Sequence, residues 1–335
     1  MSFAEVIGQR QAVNQLAAMA GSGKMPAALL LAGMEGVGKC FAAYQLAQVV
    51  NCRQSAAAEA CGTCPDCRQI ARRVHPDVLL VEAEKNQIKI DQIREVHHYL
   101  GFAPLSGRYK VVIINDAHLL NAAAANALLK TLEEPPAQTI FLLVTHRQQQ
   151  LLPTILSRCL VVMFKPLSRI VLKEVLSRQG IEIDAQLVEK AVALGGGSIS
   201  RTSYFLDADN LSWRDDFLAR IGALTPESYE DVFALAEEIG KDAERIDMTL
   251  YVLETFFRDA LVLAMGSDGN DQFDLFHPDL AELLQGFAAG RSAVELLSLL
   301  EELNRLQSRL LFNINIRLSL DALLMKLVAM QVEKG

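Results

Sequence analysis

The sequence predicts an α/β fold, in which a phosphate-loop domain with a parallel sheet precedes a small helical lid domain and a C-terminal all-α domain. Three observations predict this architecture. Short apolar runs alternate with helical patterns in the first half of the chain, a glycine-rich loop follows the first run, and strand signals are missing beyond residue 206. Four clustered cysteines, inserted before the second predicted strand, add a metal module.

The predicted sheet lies within the first 165 residues. Five apolar runs are each short enough to form a buried strand, and four helical patterns accompany them. The runs are residues 28–32, 77–81, 110–114, 139–144 and 160–164, and the helical patterns are residues 10–19, 39–50, 90–100 and 122–132. Apolar strands joined through helices are typical of a parallel sheet covered on both faces. Ligands bind such sheets at the carboxyl ends of the strands, where we expect the site.

The remaining chain divides into two helical parts. Pro166 restricts the backbone and Ser168 is a candidate N-cap, so a helical segment begins there. We expect a first domain at residues 1–165, a helical lid domain at 166–206 and a helical collar or oligomerisation domain at 207–335.

The most regular helical pattern of the third domain covers residues 292–311. Its leucines recur at helical spacing, at Leu296, Leu299, Leu300, Leu303, Leu306 and Leu310. Such a stripe is either the core side of a bundle or an oligomerisation surface, and the stripe alone does not decide between them.

Composition limits the function classes. The chain has 335 residues, of which 51% are hydrophobic and 21% are charged, and this composition excludes a disordered protein. The net charge of -8 argues against a free-standing DNA-binding protein and favours protein partners. The sequence shows neither a signal-peptide pattern nor a long apolar run, so we expect a cytoplasmic protein and no membrane partner.

Residues 33–40 match a phosphate-binding loop except at the last position. Gly33, Gly36 and Gly38 permit close approach of the backbone to phosphate, and Lys39 would reach the outer phosphates. The usual last residue is Ser or Thr, whose hydroxyl binds magnesium, whereas the thiol of Cys40 is a poor ligand for a hard cation. Either the loop still binds nucleotide or it is an inherited turn that holds strand against helix. ATP is therefore a possible ligand but not a required one.

The third predicted strand ends where a nucleotide-hydrolysing site carries its acidic residues. Asp116 stands where an aspartate holds the magnesium shell, but the next position, where a glutamate would activate water, is Ala117. His118 is a weak substitute, because a histidine at a strand end is more often a surface residue. Since Cys40 also weakens the metal site, we expect no independent ATPase activity.

Four cysteines have the spacing of a metal site. They are Cys52, Cys61, Cys64 and Cys67. Two-residue gaps let neighbouring thiolates bind one ion, and four thiolates complete a tetrahedral zinc shell. We expect a structural zinc ion, because such a closed site leaves no position for a substrate. An iron–sulfur cluster, disulfides and free thiols are the alternatives.

Arg158 lies just before the last predicted strand. An arginine in this position is usually a solvated surface residue. It can also act in trans as an arginine finger, which stabilises charge on a phosphoryl group bound by a neighbouring subunit. A subunit whose own site is inactive can still supply such a finger.

Several runs together carry a family resemblance. The sequence NALLKTLEEPP at residues 126–136, Ser157-Arg158-Cys159 downstream, the opening Ile7-Gly8-Gln9 and the cysteine insertion resemble the clamp-loader branch of the AAA+ ATPases. These runs span most of residues 3–165, and the domain order extends the resemblance to the whole chain. Within that branch the chain is similar to subunits of the bacterial DNA polymerase III clamp loader.

The resemblance assigns further positions. Motor subunits of the family carry an intact phosphate loop, an Asp-Glu pair, a sensor-1 residue and a sensor-2 arginine. Thr145 stands at the sensor-1 place, whereas the sensor-2 place is Ser200 and Arg201 comes one residue late. One residue is about 100° of helix rotation, so we expect Arg201 to point away from the sensor-2 direction.

The resemblance also implies a mechanism. The chain would be a non-hydrolysing stator whose C-terminal helices join a collar with the motor subunits (gamma/tau) and the delta subunit. Arg158 would be presented to ATP on a neighbouring motor subunit. Through the complex, the assembly would load a sliding clamp onto primed DNA.

Two alternatives stay open. In the first alternative, the chain is a motor ATPase of the same branch. Ala117 and the displaced Arg201 argue against this alternative. In the second alternative, the chain is a zinc-dependent nucleic-acid-binding AAA+ protein. Basic residues near the cysteines favour this alternative. Those residues are Arg53, Arg68, Arg72 and Arg73.

Overall fold

The computed structural model describes residues 3–54, 58–178, 180, 184–242, 244–266, 274–309 and 315–330. The chain forms two compact units. Unit 1 is Met1–Ile181 with Gly197–Ser200, and unit 2 is Glu182–Gly196 with Arg201–Gly335. The division into three domains at residues 165/166 and 206/207 stays a prediction.

Unit 1 contains five strands and the helices that connect them. The strands are β1 (Ala28–Gly33), β2 (Val78–Val81), β3 (Lys110–Ile114), β4 (Thr139–Thr145) and β5 (Leu160–Phe164). The helices are α1 (Arg10–Gly21), α2 (Lys39–Asn51), α3 (Pro65–Ala71), α4 (Ile90–Leu100), α5 (Ala122–Glu133), α6 (Pro153–Leu156) and α7 (Arg169–Arg178). The strands pair in parallel in the order β2-β3-β4-β1-β5. The predicted parallel sheet and its accompanying helices are confirmed, with ends shifted by one or two residues.

Both faces of the sheet are packed. Successive residues of β1 belong to opposite apolar clusters, with Leu29 and Leu31 in one cluster and Leu30 in the other. This alternation follows from the two-residue period of a strand, and burial on both sides explains why β1 is apolar throughout.

The expectation that all five strands are buried is wrong for β2 and β5. These strands lie at the two edges of the sheet. In β5, Leu160 is 50% exposed and Met163 is 54% exposed. An edge strand has a sheet neighbour on one side only, and an apolar run in the sequence does not distinguish an edge from the centre.

Unit 2 is helical in its described residues. Its helices are α8 (Ala185–Gly195), α9 (Ile199–Phe205, whose first two residues belong to unit 1), α10 (Ala208–Ala223), α11 (Tyr229–Lys241), α12 (Ile246–Ala264), α13 (Ala281–Ala289), α14 (Ala293–Arg309) and α15 (Ile316–Ala329). None of the chain's described helices combines the length and the apolar character needed to cross a membrane.

The leucine stripe of the third predicted domain lies in the core of unit 2. Leu296, Leu299, Leu303 and Leu306 of α14 are buried in one apolar cluster with side chains of α11, α12 and α15. Leu310 lies outside the described residues. The stripe is therefore the inner side of a helical bundle rather than an exposed oligomerisation surface.

A buried ion pair is the main polar feature of unit 2. The fully buried guanidinium of Arg214 donates to both carboxylate oxygens of Asp279, at 2.6 and 3.2 Å, and lies 3.2 Å from Nδ1 of His277. Burial alone would raise the pKa of Asp279, but the hydrogen bond and charge of Arg214 hold that pKa below its ordinary value. Asp279 is therefore ionised at neutral pH, and its loss would leave the buried Arg214 with only the more exposed carboxylate of Asp215, 2.7 Å from its Nε, as a charged partner.

We expect Asp279→Asn to lower the free energy of unfolding of unit 2 by about 2–3 kcal/mol, below the roughly 3–5 kcal/mol of a fully broken buried pair, because Asp215 still partners the buried Arg214. Urea unfolding followed by the fluorescence of Trp213, the chain's single tryptophan, measures the change. Glu238→Gln is the matched control, since Glu238 forms an exposed pair with Arg220 and exposed pairs contribute about 0–1 kcal/mol. Equal, small effects of both variants would contradict the prediction.

Candidate functional site

The phosphate loop connects the end of β1 to the start of α2, and its backbone is closely surrounded. Gly33 has φ 144°, and a Cβ at this position would lie 2.2 Å from the carbonyl oxygen of Phe164. Gly36 has φ 71°, and its Cβ would lie 2.2 Å from Oγ of Ser198. Larger residues would therefore clash or strain the loop at both positions.

Lys39, the first residue of α2, is engaged with its own loop. Its ammonium donates to the carbonyl oxygens of Gly33 at 2.8 Å and Met34 at 2.6 Å. Burial lowers its pKa to about 8, although the charge of Asp116 opposes the shift. A nucleotide phosphate at this position would compete with two carbonyl acceptors for Lys39.

Gln9, which directly precedes α1, supports the phosphate loop. Its side-chain amide donates to the carbonyl oxygens of Lys165 at 2.7 Å and Val37 at 3.3 Å, and its Oε1 accepts from the backbone N–H of Lys165. The sequence marked Gln9 only as part of a family motif. The structure gives it a physical role, because one buried amide ties the phosphate loop to the end of β5.

The ends of β3 and β4 bring the predicted acidic and sensor-1 residues to the same edge of the sheet. Asp116 follows β3 in the left-handed region, at φ 50°, which aspartate tolerates better than most residues. Thr145 ends β4, and its buried hydroxyl lies 3.2 Å from Nδ1 of His118 and accepts from the backbone N–H of Arg147. Since β3 and β4 are neighbours, Asp116 and Thr145 converge as the parallel sheet predicts.

Two histidines, His118 and His146, lie close to Asp116. Nδ1 of His146 lies 3.4 Å from Oδ1 of Asp116, and the rings of His118 and His146 meet edge to face with centroids 4.3 Å apart. Hydrogen bonding from His146 lowers the pKa of Asp116, although burial opposes the shift. Burial, together with the charge of His146, lowers the pKa of His118 to about 4. No role was predicted for His146 from the sequence, although its position directly after Thr145 places it at the same edge.

The two departures from an active nucleotide site have distinct surroundings. Ala117 is fully buried and packs in the apolar cluster on one face of the sheet, and it offers no acid–base group. Burial raises the pKa of the Cys40 thiol, so the thiol stays neutral at neutral pH. A neutral thiol binds a hard cation poorly.

Arg158 forms several contacts between α6 and β5. Its Nη2 donates to Oε1 of Glu133 at 2.5 Å, and its Nη1 donates to the carbonyl oxygen of Thr154 at 2.8 Å and to Oγ of Ser157 at 3.2 Å. The side chain is still 32% exposed. Two sequence runs that were singled out separately, at residues 126–136 and 157–159, are thus joined by one ion pair.

The four predicted ligand cysteines converge. One sulfur from each of Cys52, Cys61, Cys64 and Cys67 lies within 4.8 Å of the others. Backbone N–H groups point at the sulfurs, among them Cys61 N to Cys52 Sγ and Cys64 N to Cys61 Sγ, both at 3.3 Å. The N–H of Cys64 and a second backbone N–H lower the pKa of Cys61 to about 6. Burial and the neighbouring cysteines raise the pKa of Cys67, so the N–H donors do not favour the thiolate form at every position. Four converging sulfurs nevertheless fit a zinc ion or another thiophilic metal ion, which binds cysteines as thiolates.

The buried carboxylate of Asp66, which the sequence analysis did not single out, links the cysteine module to the rest of unit 1. Asp66 accepts from Nε of Arg53 at 2.6 Å and from Oγ of Ser106 at 2.6 Å, and it lies 3.3 Å from Nε2 of His75. Arg53, one of the basic residues that favoured nucleic-acid binding, is therefore paired with Asp66. Arg73 lies over the ring of Tyr44, 5.1 Å from its centroid.

Arg201, the displaced sensor-2 candidate, belongs to unit 2. Its guanidinium lies 3.9 Å from the ring centroid of Tyr251, whose hydroxyl donates to the carbonyl oxygen of Leu194 at 2.6 Å. This cation–π contact fixes the direction of the side chain within unit 2. Its relation to a nucleotide stays a prediction.

A parallel sheet that carries a phosphate loop after β1, an aspartate after β3 and a threonine at the end of β4 defines the class of P-loop nucleotide-binding folds. The profile of the family described as DNA polymerase III, delta subunit, matches residues 8–168. The profile of its C-terminal domain matches residues 208–328. The chain therefore belongs to the DNA polymerase III delta-subunit family.

Curated relatives agree with this family. The chain is 40% identical over 135 residues to DNA polymerase III subunit delta' of Pseudomonas aeruginosa, covering 38% of this chain and 40% of that protein. It is 35% identical over 189 residues to subunit delta' of Escherichia coli, covering 56% and 55%. It is 40% identical over 113 residues to subunit tau of Bacillus subtilis, covering 34% and 19%. The matched region thus spans about half or less of these relatives.

Proposed function

We propose that this chain is a non-hydrolysing stator, of the delta prime kind, in the clamp loader of bacterial DNA polymerase III. The observation that carries the proposal is that Ala117 fills the catalytic position after β3 and Cys40 fills the metal-binding position that ends the phosphate loop. Ala117 supplies no base, and the buried thiol of Cys40 stays neutral, so neither water activation nor magnesium binding is supported. The named relatives, delta' and tau subunits, support the assembly in which we place it.

The same proposal gives Arg158 a role in trans. Hydrolysis on a neighbouring gamma/tau motor subunit needs positive charge at the transferring phosphoryl group, and an arginine at the edge of a sheet can supply it. The partly exposed guanidinium, held by Glu133 and by the turn before β5, supports this assignment. In the free chain Glu133 neutralises Arg158, and docking would let phosphate oxygens compete for the same donors.

The cysteine module has a supporting role in the proposal. Cys52, Cys61, Cys64 and Cys67 would hold one zinc ion, which supplies structural cross-linking rather than catalysis. In this proposal the chain contributes a rigid subunit and one arginine to the assembly. The other members are the delta subunit, the motor subunits, the sliding clamp and primed DNA.

ATP turnover by the purified chain tests the central proposal. We expect no release of phosphate above the level of a buffer control, with or without Mg²⁺, because the chain lacks a base and a good metal site. A gamma/tau subunit of the same assembly, measured in parallel, is the positive control. Metal-dependent phosphate release that survives Lys39→Ala would indicate contamination, whereas release that this variant abolishes would establish a motor ATPase and overturn the proposal.

A DNA-binding measurement tests the alternative that the chain is a nucleic-acid-binding protein. Salt-sensitive binding of single-stranded DNA by the isolated chain would favour it. Arg53 is paired with Asp66 and Arg73 lies over the ring of Tyr44, whereas Arg68 and Arg72 are exposed and are the basic residues that such binding would use.

A further inference from the structure

Three side chains with metal-binding atoms meet at the carboxyl edge of the sheet, apart from the cysteine module. They are Asp116 and His118, which follow β3, and His146, which follows β4. One ligand atom from each lies within 4.8 Å of the other two. All three side chains are partly exposed, so an ion could reach them from solvent.

The separation of Asp116 and His146 is long for a hydrogen bond and also fits two ligands of one metal ion. Oδ1 of Asp116 and Nδ1 of His146 are 3.4 Å apart, beyond the usual N–H···O range of about 2.7–3.2 Å. Two ligand atoms that each lie about 2.0–2.1 Å from a tetrahedral zinc ion are separated by about 3.3–3.4 Å. The observed pair therefore already has the spacing of two ligands on one ion.

Outer contacts orient the same groups. Asn115 donates to Oδ2 of Asp116 at 3.2 Å, which leaves Oδ1 for the ion. The hydroxyl of Thr145 lies 3.2 Å from Nδ1 of His118, and a hydrogen bond there would hold the ring and leave Nε2 for a metal ion. Fixing one ring nitrogen through a neighbouring polar group is how metal-ligating histidines are commonly held.

The donor set determines the kind of ion. Two imidazoles and one carboxylate suit zinc, cobalt or nickel, whereas Mg²⁺ prefers oxygen ligands only. The positive charges of Lys39 and Arg147, which act on His118, oppose binding. Three protein ligands leave the fourth coordination position of the ion open to water, as in metal sites that have three protein ligands and one solvent ligand.

We propose that Asp116, His118 and His146 form a second metal site, which binds a late first-row divalent transition metal ion and not Mg²⁺. The site replaces the magnesium shell of an active nucleotide site with a nitrogen-rich one at the same sheet edge. It does not depend on the stator role, since its ligands and their spacing belong to this chain alone.

Cobalt titration of the full chain, with zinc already bound at the cysteines, tests the proposal. We expect one further Co²⁺ per chain by calorimetry, with visible bands of nitrogen and oxygen ligation and without a thiolate charge-transfer band. Excess Mg²⁺ should not compete. His118→Ala and His146→Ala should each weaken binding by at least about tenfold, since even loss of an outer partner of a metal ligand costs about 10–100-fold.

His98→Ala is the matched control, because His98 is an exposed histidine on α4 outside the cluster. It should leave cobalt binding unchanged. Asp116→Asn provides a third ligand variant, and thermal unfolding of each variant verifies its fold. Absence of a further binding event, persistence of that event in both histidine variants, its loss in His98→Ala, or a thiolate band that accounts for all bound cobalt would each overturn the proposal.

Discussion

Arg158→Ala is expected to slow DNA-dependent ATP turnover by about 10³-fold or more at the one motor site that the proposed finger would serve, because an arginine finger contributes about 10³–10⁵ to kcat. In the proposed assembly the other motor sites would not depend on Arg158, so the effect would be confined to one phase of the reaction. Single-turnover phosphate release from the reconstituted complex resolves that phase, which a steady-state rate would average with the others.

Two further variants separate the finger from a merely structural arginine. Arg158→Lys keeps the charge but loses the planar fork, and we expect it to restore only part of the rate. Arg178→Ala removes another arginine with a carboxylate partner, Glu174 at 2.7 Å, and should change nothing. If Arg158→Ala assembles normally and leaves every phase at its original rate, the finger assignment is wrong.

Cys64→Ser is expected to reduce bound zinc from about one ion per chain to nearly none, because three remaining thiolates do not complete the closed shell. The binding energy of a structural zinc ion, about 10–16 kcal/mol in small zinc modules, is also folding energy. We therefore expect amide protection to fall around α3, where Cys64 caps the helix by accepting from the N–H of Cys67. Metal analysis and hydrogen exchange measure the two effects.

The control for the cysteine prediction is Cys159→Ser. Cys159 lies outside the cluster, and burial raises the pKa of its thiol to about 11, so it is no candidate ligand. This variant should keep its zinc and the protection of α3. Chelation of zinc from the unmodified chain should reproduce the effect of Cys64→Ser. Unchanged metal content in Cys64→Ser would contradict the prediction.

Local patterns account for the parts of the fold that the sequence predicts. The apolar runs of β1, β3 and β4 are uninterrupted because both faces of these central strands are buried, and this burial leaves a pattern in the chain itself. The phosphate loop and the cysteine cluster can also be recognised from the sequence, because their ligand groups come from residues that are close together in the chain. The leucines of α14 showed helical spacing, but only packing in three dimensions placed them in the core.

The contacts that complete the site join residues far apart in the chain, and no periodicity marks such pairs. Glu133 meets Arg158, Gln9 meets Lys165, and Ser106 meets Asp66 across turns that the sequence does not specify. His146 is an intermediate case. Its place after the fourth strand was predictable, but its approach to Asp116 depends on the neighbouring positions of β3 and β4 in the sheet.

The open side of β5 has a consequence for the chain when it is alone. Among the described strands, β5 pairs only with β1, so its outer backbone groups could template sheet extension with another molecule, a common route to aggregation. Arg158 precedes this strand and Lys165 directly follows it. Charged residues that flank an apolar strand act as gatekeepers against such self-association. Arg158, the proposed finger, is thus also one of two charged residues placed to oppose such self-association of the unassembled chain.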